Sequence, residues 1–167
     1  MHNVQPDPTS ERFVSRLARL DPGDRARLKR NAGKTLAEAR DVLALFYSLL
    51  PPGVTPAQEW AYFLVATLYP LTGSTSGSDL GAALRRARTA FNAKGLDRRM
   101  EYLLDADSAQ LPFRLRQAVR FLASNRVRVD WPLLLRNLLA WNHPDRYVQQ
   151  RWARSYFAGT TTSTKED

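Results

Sequence analysis

The chain has no cysteine, and so no disulfide framework, no thiolate zinc site and no thiol nucleophile; this fits a reducing compartment, with the cytoplasm as the expected location. Histidine is nearly absent too. His2 lies among the first residues and His143 in the turn NHPD ahead of a helix, so no imidazole is placed to activate a serine or threonine. Carboxylates are few, 16 Asp and Glu against 25 Lys and Arg. The one close acid pair in a suggestive setting, Asp105 and Asp107 in LLDADSAQ, reads as the end of one helix and the start of the next, because a Mg²⁺ site wants several converging carboxylates. The loop GSTSGSD lacks the GK[ST] ending with which a P-loop holds phosphate and Mg²⁺. Long apolar runs are missing as well: the longest, Trp60 to Tyr69, is far below the roughly 20 residues of a membrane span, and MHNVQPDPTSER has no signal-peptide pattern. These absences argue against an enzyme and imply no cofactor, no metal site and no membrane partner.

What is present is enough for a core. The 167 residues are 44% apolar and 10% aromatic, which suits one globular domain over 9–158 between polar tails at 1–8 and 159–167. Period-two alternation is nearly absent, while apolar spacing of three and four recurs, so the expected fold is all-α: a compact bundle of about nine helices. Their expected positions are 9–20, 22–32, 35–49, 56–70, 79–93, 96–105, 112–125, 131–142 and 144–157. Asp21 ahead of Pro22, Thr35 with Glu38, Thr55 with Gln58, and Asp130 before Trp131–Pro132 are candidate N-caps. WAYFLVATLY, apolar all round, suits the centre of the bundle. The Gly/Ser-rich loop 71–79 is a joint that can separate two helical sub-bundles without being a domain boundary.

Charge is segregated. No Lys or Arg occurs between Asp41 and Leu84, whereas Arg25 to Lys34 carries five bases and no acid. In PFRLRQAVRFLASNRVRVDW, Arg114, Arg116, Arg120, Arg126 and Arg128 lie among sequence almost free of carboxylates. On a helix from 112, Leu115, Ala118, Val119 and Leu122 form the core stripe and leave Arg116 and Arg120 together on the opposite side. Arg27, Lys29, Arg30 and Lys34 crowd a short helix; Arg98 and Arg99 have Glu101 and Asp105 as possible internal partners; Tyr147, Arg151 and Arg154 share a face of the last helix. A single charge run usually marks a solvated surface. Several acid-poor runs together favour a polyanion, of which nucleic acid is the common one, and 21 of the 25 bases are Arg, whose planar fork matches phosphate.

The runs DRRMEYLLDADSAQLPFRLRQAVRFL and VDWPLLLRNLLAWNHPDRYVQQRWARSYF resemble the CasB family, the small subunit of the type I-E CRISPR surveillance complex Cascade. The resemblance covers roughly 78–157 well through its WPxLLxxLLxW and VQxRWARxY elements, and 9–50 more loosely. It implies a non-catalytic helical subunit, two copies packed head to tail among the other Cascade subunits, with a basic surface that holds guide RNA and target DNA and steadies the displaced strand of the R-loop. Arg99 of DRRM, Arg116 of FRLRQ and the bases of RARLKR are the counterparts of that surface, while Trp131, Trp141 and Trp152 read as core anchors. Two rival readings stand beside it. LASNRVRVDW lends a turn and helix start to a major-groove transcription regulator, although WPLLLRNLLAW carries one arginine on a broadly apolar surface. Alternatively the basic faces meet acidic protein surfaces only.

Overall fold

Helical spacing and well-placed caps give nine α-helices among the described residues, 8–73 and 77–158 of a computed structural model. They are α1 (Pro8–Ala18), α2 (Pro22–Lys29), α3 (Leu43–Leu49), α4 (Glu59–Thr72), α5 (Leu80–Ala87), α6 (Ala93–Leu104), α7 (Leu111–Ser124), α8 (Trp131–Leu139) and α9 (Tyr147–Phe157), with short 3-10 turns at Leu36–Glu38 and Pro56–Gln58. No strand occurs among the described residues; Ser78 and Val129 make an isolated bridge. The all-α expectation holds. Residues 1–7, 74–76 and 159–167, which include most of both expected tails and the centre of the Gly/Ser loop, lie outside the described residues.

Asp21 accepts from the amide of Asp24 at 2.8 Å with Pro22 in the first turn, and Asp130 accepts from Leu133 N at 3.1 Å to open α8. The segment expected to be one helix over 35–49 is instead two. Thr35 donates its hydroxyl to Glu38 at 2.8 Å rather than capping a backbone amide, and the chain breaks at Asp41, which sits at φ 57. The expected helix 79–93 stops at Ala87 because Thr89 and Asn92 close a turn on each other: Thr89 N donates to Asn92 Oδ1 at 2.8 Å, and Asn92 Nδ2 donates to the Ala87 carbonyl at 2.9 Å. α9 starts three residues later than expected because Arg146 is left-handed, at φ 50.

α4 is the centre. Every residue from Ala61 to Tyr69 is buried, and the helix packs on α1, α2, α7 and α8. Phe13 meets Tyr62 edge-on at 5.0 Å, Phe46 meets Phe63 at 5.2 Å, and Tyr69 meets Trp131 at 5.8 Å. All three buried tryptophans have satisfied indole N–H groups: Trp131 donates to Thr72 Oγ1 (2.8 Å), Trp141 to the Ala106 carbonyl (2.8 Å) and Trp152 to Asn137 Oδ1 (3.1 Å). They are core anchors. α5 and α9 pack so closely that a Cβ on Gly81 would lie 2.2 Å from the Trp152 carbonyl oxygen.

Candidate nucleic-acid interface

α7 buries Leu111, Leu115, Val119 and Leu122 and turns Arg116 and Arg120 away from them. Its two flanks differ. On one, the half-buried Arg116 lies over Gly33: a Cβ there would come within 2.4 Å of Arg116 Cδ, and Gly33 is at φ 80, a conformation that glycine adopts without strain. That contact joins residues far apart in sequence and brings the segment that follows α2, next to Lys34, against α7. The Arg116 Nε–H is buried without an acceptor among the described residues. On the other flank, Arg114 donates to the Tyr102 carbonyl and sits over the Tyr102 ring, 5.6 Å from its centroid.

The remaining candidates divide by what they touch. Arg27 is committed within the fold, pairing with Asp24 at 3.4 Å and donating twice to the Asp41 carbonyl at 3.1 and 2.6 Å. Lys29 and Arg30 are exposed and Lys34 is half-buried, none with a carboxylate partner among the described residues. Arg98 and Arg99 are exposed on α6; Glu101 and Asp105 form no ion pair with them. Arg151 lies over the Tyr147 ring at 5.3 Å, with Arg154 on the same exposed face of α9, a helix that packs chiefly on α5 and α6. Among the described residues, Arg27 is the one cation of the eleven candidates that pairs with a carboxylate.

Three further arginines gather where the sequence analysis set no site. Arg86, Arg126 and Arg128, with Gly77 and Val127, line an open cleft of about 390 Å³ that has no acidic residue in its lining. The acid-poor stretch contained Arg126 and Arg128; nothing in the sequence brought Arg86 to them. A tight cluster around one carboxylate lies elsewhere. Arg88 binds Asp97 through two nitrogens at 2.9 and 3.0 Å, and Tyr156 donates to the same carboxylate at 2.5 Å. Hydrogen bonding by Arg88, then by Tyr156, holds the Asp97 carboxyl below its usual range, while burial and then the Asp97 bond push the Tyr156 phenol up. Asp105 ends α6, and Asp107 Oδ1 accepts from Ala109 N and Gln110 N at 2.9 and 2.8 Å to start the turn into α7. Among the described residues, no group of three or more His, Cys, Asp or Glu is placed to hold a metal ion.

A family model described as CRISPR-associated protein Cse2 matches residues 24–157, which include Gly33, Arg116 and all three tryptophan anchors. The chain belongs to the Cse2 family. The Cse2 protein of Thermus thermophilus is 39% identical over 109 residues, a stretch that spans 64% of this chain and 62% of that relative's length. Among solved structures, M. ruber CasB superposes with a TM-score of 0.76 at 34% identity, covering 90% of this chain and 93% of that one. A chain of a structure described as a CRISPR RNA-guided surveillance complex superposes at 0.75 with 26% identity, covering 89% and 91%. The resemblance read from the WP and WAR elements is thereby confirmed at the level of the Cse2 family. No described helix is long and apolar enough to cross a membrane.

Proposed function

We propose that this Cse2-family chain is a non-catalytic nucleic-acid-binding subunit of a type I-E CRISPR surveillance complex in antiviral defence. It holds guide RNA and target DNA through sequence-independent contacts to their backbones, and it steadies the displaced non-target strand of the R-loop. The observation that carries this reading is the Gly33–Arg116 contact, which brings the segment next to Lys34 against α7, while among the described residues Lys29, Arg30, Lys34, Arg116 and Arg120 form no ion pair with a carboxylate. Opening a duplex against a guide is nearly balanced base pair for base pair, so a few backbone contacts suffice to tip it. Arginines on a helix flank read no sequence, as a subunit that must accept any target requires.

Protein contacts belong to the same reading. Leu43 and Tyr47 are 45% and 46% exposed on α3, within the stretch that has no Lys or Arg, and Tyr47 donates to Glu59 at 2.8 Å. Such an apolar, acidic face suits a neighbouring subunit or a second copy packed head to tail. The regulator reading fares worse: α8, which follows the SNRVRVD turn, buries Trp131, Leu134, Leu135, Asn137 and Leu138 in the core. The test is Arg116→Glu with Arg120→Glu in the assembled complex. Assembly is expected to proceed while target DNA is retained more weakly; variants that drop out of the assembly with DNA handling otherwise normal would make the basic flank a protein contact.

A further inference from the structure

We propose that the cleft between α6 and α7 seats two successive unpaired nucleobases of a single strand, with Arg99 at the phosphate between them. This rests on the nucleic-acid-binding reading above and adds what arginines alone do not supply, a place for the bases. On α6, Gly95, Arg99 and Tyr102 fall at i, i+4 and i+7 and share one face. Facing them on α7 are Arg114, Gln117 and Phe121, the flank opposite Arg116. Two adjoining cavities lie along this line. One, of about 240 Å³, has Tyr102, Phe113 and Phe121 with Arg99, Arg114 and Gln117 in its lining, over an apolar floor. The next, of about 270 Å³, is lined by Phe91, Asn92, Gly95, Leu96, Arg99 and Phe121. Arg99 belongs to both.

Three large aromatics are left in water here: Phe113 is 60% exposed, Tyr102 56%, and Phe91 fully. Gly95 is equally unexplained within the chain. Glycine weakens a helix relative to alanine, yet no close packing requires it here: a Cβ at 95 would meet nothing within 4 Å, and Gly95 lines the second cavity. Exposed rings bordered by guanidiniums are the chemistry that binds single strands, because every base has a π-face to stack while the cations neutralise the backbone. Gln117 offers both a donor and an acceptor to whichever base edge arrives. An apolar protein anchor would also fill the floor, but it would leave Arg99 without an anion. A nucleic acid meets Arg99 and runs on to Arg116 and Arg120 across the same helix.

The experiment is titration of the full chain with a single-stranded oligonucleotide carrying 2-aminopurine, whose emission falls when it stacks. Wild type is expected to quench it. Phe113→Ala and Phe91→Ala, both at exposed positions, should lose most of the quench and about tenfold in affinity, and Phe113→Tyr should restore both. The salt dependence should stay unchanged in these variants, and an oligonucleotide abasic at the stacked positions should bind wild type and Phe113→Ala alike. Unchanged quench and affinity in both alanine variants overturn the proposal, and a loss of assembly with other subunits in their place would assign the cleft to a protein. If Arg116→Glu with Arg120→Glu abolishes oligonucleotide binding while the aromatic variants do not weaken it, the stacking proposal fails and the backbone-binding reading stands. If wild type does not bind the oligonucleotide at all, both fail.

Discussion

Gly33 and Arg116 show how one residue without a side chain sets the position of one with a long side chain. Gly33→Ala places a Cβ where the Arg116 shaft runs and asks an L-residue to hold φ 80, at a conformational cost of roughly 1–2 kcal/mol. Gly53 separates the two effects, since it sits at φ 87 in open space, where a Cβ would meet nothing within 4 Å. Both alanine variants should melt lower in a thermal scan, but only Gly33→Ala should also weaken single-strand binding, in the direction of Arg116→Ala. Equal loss of binding in the two would detach Arg116 from its seat. Asp97 makes a second prediction at this scale. Its folded pKa lies below the unfolded one, about 3.9, so the stability it contributes is present above that pH and is lost as pH falls through the folded value. Tyr156 has the opposite sign: its raised pKa gives stability that is complete below about pH 10 and fades on going higher. Asp97→Asn should therefore start with a lower melting temperature at pH 6 and lose less of it on acidification to pH 3 than wild type does.

Helix by helix, the elements that sequence revealed are those that local chemistry decides. WAYFLVATLY has no polar face to offer and is buried over Ala61–Tyr69; Asp21–Pro22 and Asp130–Trp131–Pro132 carry their caps within three residues. The breaks were not legible. Apolar spacing runs on through Leu36 to Leu49, and only the packed chain makes Asp41 left-handed; the α5–α6 turn depends on Asn92 reaching back to the Ala87 carbonyl. The site was readable in part for the same reason. Helical periodicity alone puts Arg116 with Arg120 and Tyr147 with Arg151, whereas the Gly33–Arg116 contact, the commitment of Arg27 to the Asp41 carbonyl and the meeting of Arg86 with Arg126 are tertiary. Close packing of α5 on α9 yields a prediction with a size. Gly81→Ala drives a methyl into the Trp152 carbonyl, and backbone cannot rotate away as a side chain would, so a loss of about 3 kcal/mol or more is expected in denaturant unfolding. A loss below about 1 kcal/mol would mean that the two helices slide apart easily.

On the scale of the whole molecule, a net charge of +9 attracts any polyanion, so affinity alone does not show that a defined surface is used. Salt dependence does, because each phosphate neutralised on a single strand contributes about −0.7 to the slope of log affinity against log salt. If Lys29, Arg30, Lys34, Arg116 and Arg120, with Arg99 in the α6–α7 cleft, are the site, the isolated chain should give a slope of about −4.2, on the order of six contacts. Were all eleven candidate cations engaged, the slope would approach roughly −8. Arg27, held by Asp24 and the Asp41 carbonyl, and Arg114, held by Tyr102, argue for the smaller number. Replacing Arg116 and Arg120 by alanine should then flatten the slope by about 1.4, while Arg151→Ala with Arg154→Ala should leave it unchanged. A slope that responds equally to every pair would mean that the strand wanders over a diffuse positive field, and that the seat made at Gly33 has no special part in holding it.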